Sequence, residues 1–130
     1  MHSTANIFES LSDEQSVKLF TIIATQGPNS TDLRDKVSLT RKQYYSRISR
    51  MVRVGLIRRK QGKLVITAFG KIVYESQKFL EVATNSQWKL KVIDSIDLSD
   101  ELPNEERRKL LDNLIENRRI REILSGSRIA

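Results

Sequence analysis

The 130-residue chain has no cysteine, one histidine, two prolines and five glycines, and only 6% of its side chains are aromatic. Without cysteine there can be no disulfide framework, no thiolate metal site and no cysteine nucleophile. The lone histidine, His2, cannot by itself make a histidine-based zinc or iron centre, so no metal and no other cofactor is expected. No serine or carboxylate has a histidine to activate it. The acid pairs Asp100-Glu101 and Glu105-Glu106 stand where they would cap helices rather than line apolar clefts. The glycines are scattered, so no phosphate-cradling loop exists. Enzymatic chemistry is therefore not expected. No apolar run approaches the ~18 residues that span a bilayer. Met1–Gln15 is polar and acidic where a secretory leader would be apolar, which makes the cytoplasm the expected location and a membrane an unexpected partner.

What the chain does have is positive charge in one place. The whole sequence carries 23 basic and 16 acidic residues, a net of +7. Eleven of the basic residues fall between Arg34 and Lys63, where Asp35 is the sole acid, so this window carries +10. The remaining 100 residues hold 12 basic and 15 acidic side chains, a net of −3. An excess of that size repels itself unless a polyanion or counterions neutralise it, and nucleic acid is the commonest such partner. A solvated basic face is the plainer alternative, but such faces are normally interspersed with acids. An anionic membrane suits the window less well, because its cationic face lacks the flanking Trp, Phe or Leu anchors of an interfacial helix.

Local signals divide the chain. Ser12 and Gln15 have capping-box spacing, and Val17, Phe20, Ile23 and Ala24 recur at helical intervals until Gly27-Pro28, predicting a helix from about Asp13 to Thr25. Ser30 can cap a short segment over Thr31–Val37. Thr40 and Gln43 form a second capping box, opening a helix to Val54, with Gly55 as its left-handed stop. Leu56–Arg59 and Lys63–Ile66 favour strand and are joined through Lys60-Gln61-Gly62 as a hairpin. Thr67 can cap a further helix bearing Phe69, Ile72, Val73 and Leu80. The expected fold is mainly α with a small β-hairpin, in the order α-α-α-β-β-α. Two helices across a short turn make a helix-turn-helix, and the hairpin its wing. This domain is placed at residues 1–84, and a helical extension at 85–130. In the extension, Ser86–Ile96 either continues the preceding helix or starts another, and one helix of about 20 residues should run from Pro103 to Gly126. Its stripe of Leu110, Leu111, Leu114, Ile115, Ile123 and Leu124, with Phe79, Trp88 and Val92 upstream, is the candidate homodimer seam. Burial within the chain's own core is the alternative.

On a helical wheel, Tyr44, Ile48 and Met51 mark the inner side of the third helix. Gln43, Ser46, Arg47 and Arg50 fall opposite, with Arg53 at the edge. Arginine can hold guanine, and Gln43 adenine, through two parallel bonds. Thr40, Arg41 and Lys42, at the amide-bearing N-terminus, are the expected phosphate anchors, and the Tyr45 hydroxyl could reach another phosphate. No acid lies within this helix to pair with its arginines. Arg58, Arg59, Lys60 and Lys63 make the hairpin a second basic element, one that suits a backbone or a minor groove.

The run Leu39-Thr40-Arg41-Lys42-Gln43-Tyr44-Tyr45-Ser46-Arg47-Ile48, continuing to Val54-Gly55-Leu56-Ile57, resembles the recognition helix and following strand of ArsR- and MarR-like winged-helix regulators. Lys63-Leu64-Val65-Ile66-Thr67-Ala68-Phe69-Gly70 resembles their leucine-threonine-x-x-glycine step from wing to helix. The likeness is greatest to small archaeal winged-helix regulators with long C-terminal helices. It covers roughly Asp13 to Leu80 and implies a sequence-specific double-stranded DNA-binding transcriptional regulator that acts as a homodimer, with the base-reading positions just after Leu39 and on the Gln43–Ser46–Arg47 side. The cysteine and histidine ligands of the metal-sensing members are absent, and nothing in the sequence names a small-molecule effector. The alternative is a winged-helix protein-interaction module in a transcription or replication complex. RNA is a weaker partner, since the aromatics are too few to build a stacking platform.

Overall fold

The computed structural model describes residues 3–27, 33–99 and 101–126. The chain is mainly helical with one two-stranded antiparallel sheet. It divides into two compact units, Met1–Gln77 and Lys78–Ala130, where the sequence reading had put its boundary after Thr84.

The first unit opens with a helix that the sequence reading did not foresee, α1 (Thr4–Ser10). Ser3 caps it in a box with Asn6, and Ile7 and Leu11 pack on the core beyond. At two turns it is too short to hold by propensity alone, so packing supplies its stability. The helix α2 (Glu14–Gln26) follows. Its cap is Asp13 and not the expected Ser12: the Asp13 carboxylate accepts from the Ser16 amide at 3.2 Å and from its hydroxyl at 2.6 Å. The Ser12 amide is instead tied to the end of α1 through the Glu9 carbonyl. Ser16, Leu19, Phe20 and Ile23 are the buried stripe of α2. The proposed Ser30 cap lies outside the described residues, which resume in the short helix α3 (Leu33–Lys36).

A turn through Val37 and Leu39 leads to α4 (Arg41–Arg53), and here the Thr40–Gln43 box is closed in both directions, at 3.2 and 3.0 Å. The helix ends in a Schellman motif. Gly55 takes φ +86°, its amide reaches the Val52 carbonyl, and the Leu56 amide reaches that of Met51. Leu56 is thereby driven into the core. Strands β1 (Ile57–Lys60) and β2 (Lys63–Ile66) pair from Ile57↔Ile66 to Lys60↔Lys63. Gln61 and Gly62 form the loop with φ of 53° and 76°, the double positive-φ turn that matches strand twist. Next comes α5 (Ala68–Asn85). The Thr67 hydroxyl accepts from the Gly70 amide at 2.8 Å and donates to the Gly55 carbonyl at 2.5 Å, with the Leu56 carbonyl 3.1 Å away. A Cβ on Gly70 would collide with the Leu56 carbonyl oxygen, so only glycine allows this helix so close to the residue that leads into β1. The core gathers Leu19, Phe20, Ile23, Leu33, Val37, Ile48, Met51, Val54, Leu56 and Ile57.

The second unit holds the end of α5, then α6 (Gln87–Ser99), α7 (Asn104–Leu114) and α8 (Arg118–Ser125). Residues after Ser86 therefore begin a new helix. The single long helix expected from Pro103 to Gly126 is two. Asn117 caps α8 by accepting from the Ile120 amide, and Arg121 hydrogen-bonds the Ile115 and Glu116 carbonyls at the end of α7. The break turns Leu111, Ile115 and Ile120 into one small core with Ile93. That core has four buried apolar side chains among the described residues against ten in the first unit. At ~1.5–3 kcal/mol for each one buried, apolar burial contributes much less here. A buried ion pair adds to it. Arg107 donates from Nε and Nη2 to both oxygens of Asp97, at 2.6 and 3.1 Å, and from Nη1 to the Leu124 carbonyl at 3.0 Å, so one guanidinium joins α6, α7 and α8.

Candidate nucleic-acid interface

Thr40, Arg41, Lys42 and Gln43 open α4 and all four are exposed. The capping box has a chemical consequence: the Gln43 side-chain oxygen accepts from the Thr40 amide and is committed to the helix end. A Gln side chain so held is a poor two-point reader of adenine. Behind this turn, Ile48 and Met51 are buried and Tyr44 and Val52 half-buried. The directly opposite face is Lys42, Ser46, Ser49 and Arg53, all exposed. Ser49 was not among the expected contacts, although its spacing of three after Ser46 and four before Arg53 was legible on the same wheel. Arg50 is half-buried at the edge of this face.

Tyr45 is 50% exposed and meets Tyr44 edge to face, ring centres 5.2 Å apart. Burial raises the Tyr44 hydroxyl above its ordinary pKa, and Tyr45 adds to the rise, while the positive charge of Arg59 pulls the other way. The hairpin thus brings Arg59 to the side of α4, and β1 packs on that helix. Because side chains alternate along a strand, Arg59 shares the inward face with Ile57, while Arg58 and Lys60 share the outer one. Lys60 and Lys63 are paired directly across the ladder. Like charges so placed cost stability, which an anion laid along the hairpin would offset.

Arg47 departs from the rest. Its Nε donates to the Asp13 carboxylate at 3.1 Å and its Nη1 to the Gln43 carbonyl at 3.2 Å. The two side chains are 23% and 36% exposed, a partly screened pair worth ~1 kcal/mol or less. Desolvation works against the ionised Asp13. The hydrogen bonds from the Ser16 hydroxyl and Arg47 guanidinium, then the Ser16 amide and the arginine's charge, outweigh it and hold the carboxyl below its ordinary pKa. The partner lies 34 residues upstream, where no periodicity in the helix could reveal it. Among the described residues no carboxylate pairs with Arg41, Lys42, Arg50, Arg53, Arg58, Arg59, Lys60 or Lys63.

The six expected seam residues separate by environment. Leu111 and Ile115 belong to the second unit's own core, with Leu114 and Leu124 packed against it. Leu110 and Ile123 remain 40% and 59% exposed. Of the upstream residues, Phe79 packs on that core with the Arg119 guanidinium 4.3 Å from its ring centre, whereas Trp88 and Val92 on α6 are exposed. A crevice of about 270 Å³ at α7 and α8 is lined by Arg108, Asp112, Arg118, Arg121, Glu122 and Ser125. These are charged residues of both signs and one serine, with no aromatic or aliphatic residue among them, unlike most small-molecule sites. No helix among the described residues is long and apolar enough to cross a membrane.

Comparison with models of known protein families, with curated proteins and with solved structures found no match to this chain.

Proposed function

We propose that the first unit is a winged helix-turn-helix, with α3 and α4 as the helix pair and the hairpin as the wing, and that the chain is a sequence-specific double-stranded DNA-binding transcriptional regulator. The observation that carries this reading is the pairing of two packed elements, α4 and β1, each carrying exposed cations that no described carboxylate neutralises. On this reading Lys42, Ser46, Ser49 and Arg53 face the major groove. Arg41 and the first turn of α4 meet a phosphate, and Arg58, Lys60 and Lys63 follow the backbone or a minor groove.

Selection from a random pool of duplex oligonucleotides tests it, and a recovered motif is the expected result. If six cations meet phosphates, affinity falls ~10³-fold between about 50 and 200 mM salt. An unenriched pool with a flat salt response would replace the reading by docking on an acidic protein.

The regulator reading includes a homodimer, since one such module contacts less DNA than a specific site usually needs. With Leu111 and Ile115 consumed internally, the pairing surface is narrowed to residues still exposed, among them Trp88 and Val92, one turn apart on α6. Light scattering should give twice the 15.0 kDa chain mass, and Trp88→Glu should return it to one chain.

A further inference from the structure

We propose that Asp13, an acid beside a cationic surface, promotes DNA binding by holding Arg47 in a phosphate-gripping pose. The inference rests on the DNA-binding reading of α4 and assigns Asp13 the part of a positioning residue that acts through Arg47.

The argument is geometric. A guanidinium carries five N–H groups in a rigid plane. In Arg47 the Nε–H is taken by Asp13 and one Nη1–H by the Gln43 carbonyl, which lies back toward the helix. What remains is the outer end of the fork, the second Nη1–H beside those of Nη2, and no described residue accepts from it. Two parallel donors at the tip match two oxygens of one phosphate. The side chain has four rotatable bonds and, left free, would sweep a wide volume. Here it is fixed at two points before any ligand arrives, and the ordering cost of binding falls accordingly.

Asp13 is itself held. Its other oxygen accepts from the Ser16 hydroxyl at 2.6 Å, and its first from the Ser16 amide, so the carboxylate cannot swing after the arginine. The latch joins the start of α2 to the middle of α4. The start of α2 and the middle of α4 are thereby referenced to the same guanidinium.

The sign of the effect makes it testable. Removing an acid from a DNA-facing surface ordinarily tightens binding, because the protein becomes more positive. The latch demands the reverse. Asp13→Ser keeps a good N-cap while its side chain is too short to reach Arg47. Binding to sheared mixed-sequence duplex DNA, read by fluorescence anisotropy over a salt series, should weaken roughly two- to tenfold in Asp13→Ser despite the added positive charge. Arg47→Gln should weaken binding and lower the salt slope by about 1. The double variant should bind no worse than Arg47→Gln alone. Arg47→Lys, which keeps the charge without the fork, should lose affinity at an unchanged slope. A far-UV spectrum and melting curve of each variant guard against unfolding, and Asp13→Thr, an N-cap equally short of Arg47, serves if the serine variant does not fold. Tighter binding by Asp13→Ser would overturn the latch and make Asp13 a competitor of DNA for Arg47. A full-length protein that binds no duplex at all would sink the DNA-binding reading instead, and the latch with it.

Discussion

The two units each contain an arginine drawn in from water toward an aspartate, and they use it differently. In the second unit Arg107 is spent completely, with Nε, Nη1 and Nη2 all bonded and its side chain 8% exposed. In the first, Arg47 is bonded through Nε and Nη1 only, and no described residue accepts from its Nη2. The contrast follows from how each unit is shaped. The first has a large apolar core, and backbone devices set its outline: the Schellman turn at Gly55, the tight hairpin loop at Gly62 and the close approach at Gly70. Its surface charges are not needed to hold it together. The second has a small core, so a charged side chain does structural work and is no longer available for anything else. Where backbone geometry and apolar burial carry a fold, charge is left over for a partner.

Four changes would break or sharpen that contrast. The largest effect is expected from Gly70→Ala, whose methyl group would collide with the Leu56 carbonyl. It should cost ~3 kcal/mol or more and leave the first unit unfolded or rearranged, read as lost amide-exchange protection in α2 and α4. A protein that melts normally would show that the approach is not needed. Arg107→Ala comes next. Breaking a buried pair costs ~3–5 kcal/mol, and because Asp97 is 24% exposed the expected loss lies near or just below the lower figure. Exchange should quicken in α7 and α8 while the first unit stays protected, and uniform loss across both units would contradict the division.

Third, Arg47→Gln should change stability by ~1 kcal/mol or less while its binding defect is large, the opposite balance to Arg107→Ala. The same variant checks the electrostatics of Asp13. A carboxyl held below its ordinary pKa in the folded chain adds stability above the unfolded value, and loses it as pH falls through the folded one. The titration of Asp13, followed by carboxyl NMR, should therefore move up toward ordinary values in Arg47→Gln, and the variant's stability deficit should vanish at the acid end of the scale. A titration that does not move would assign the depression to Ser16 alone. The smallest effect is expected from Gln61→Asn. Gln61 has φ 53°, a region asparagine tolerates better, so the hairpin should gain a few tenths of a kcal/mol with no change elsewhere.

What the sequence disclosed and what it withheld divide along contact distance. The Thr40–Gln43 box, the Gly55 stop, the glycine-tipped hairpin and the Thr67 cap are all closed within a few residues, and each is written in residue types that chemistry restricts. The inward side of α4 was legible for the same reason, but of Gln43, Ser46, Arg47 and Arg50, expected on its outer side, only Ser46 lies directly opposite the core, and Arg47 and Arg50 are half-buried. The Arg47–Asp13 and Arg107–Asp97 pairs were not, because an arginine on a wheel is compatible with solvent, phosphate or a carboxylate from another element. The last helix was misread as one because Leu110–Leu124 keeps an apolar rhythm across its break. Asn117, which caps the second helix, was a signal of the break that the apolar rhythm masked. α1 was missed because its apolar content is too small to show a period. Of the expected interface, exposure agrees for Arg41, Lys42, Ser46 and the hairpin cations, while the second unit's leucines belong mostly to its own interior.

The ladder position shared by Lys60 and Lys63 has a mechanical consequence. Two ammonium groups facing each other beside a two-residue loop push the strand ends apart, and bulk electrolyte alone relieves that push. In dilute buffer the tip should therefore fray, and raising the ionic strength should quieten it even with nothing bound. An anionic strand threaded past it would have the same quieting effect at one spot, so the tip would stiffen as it docks.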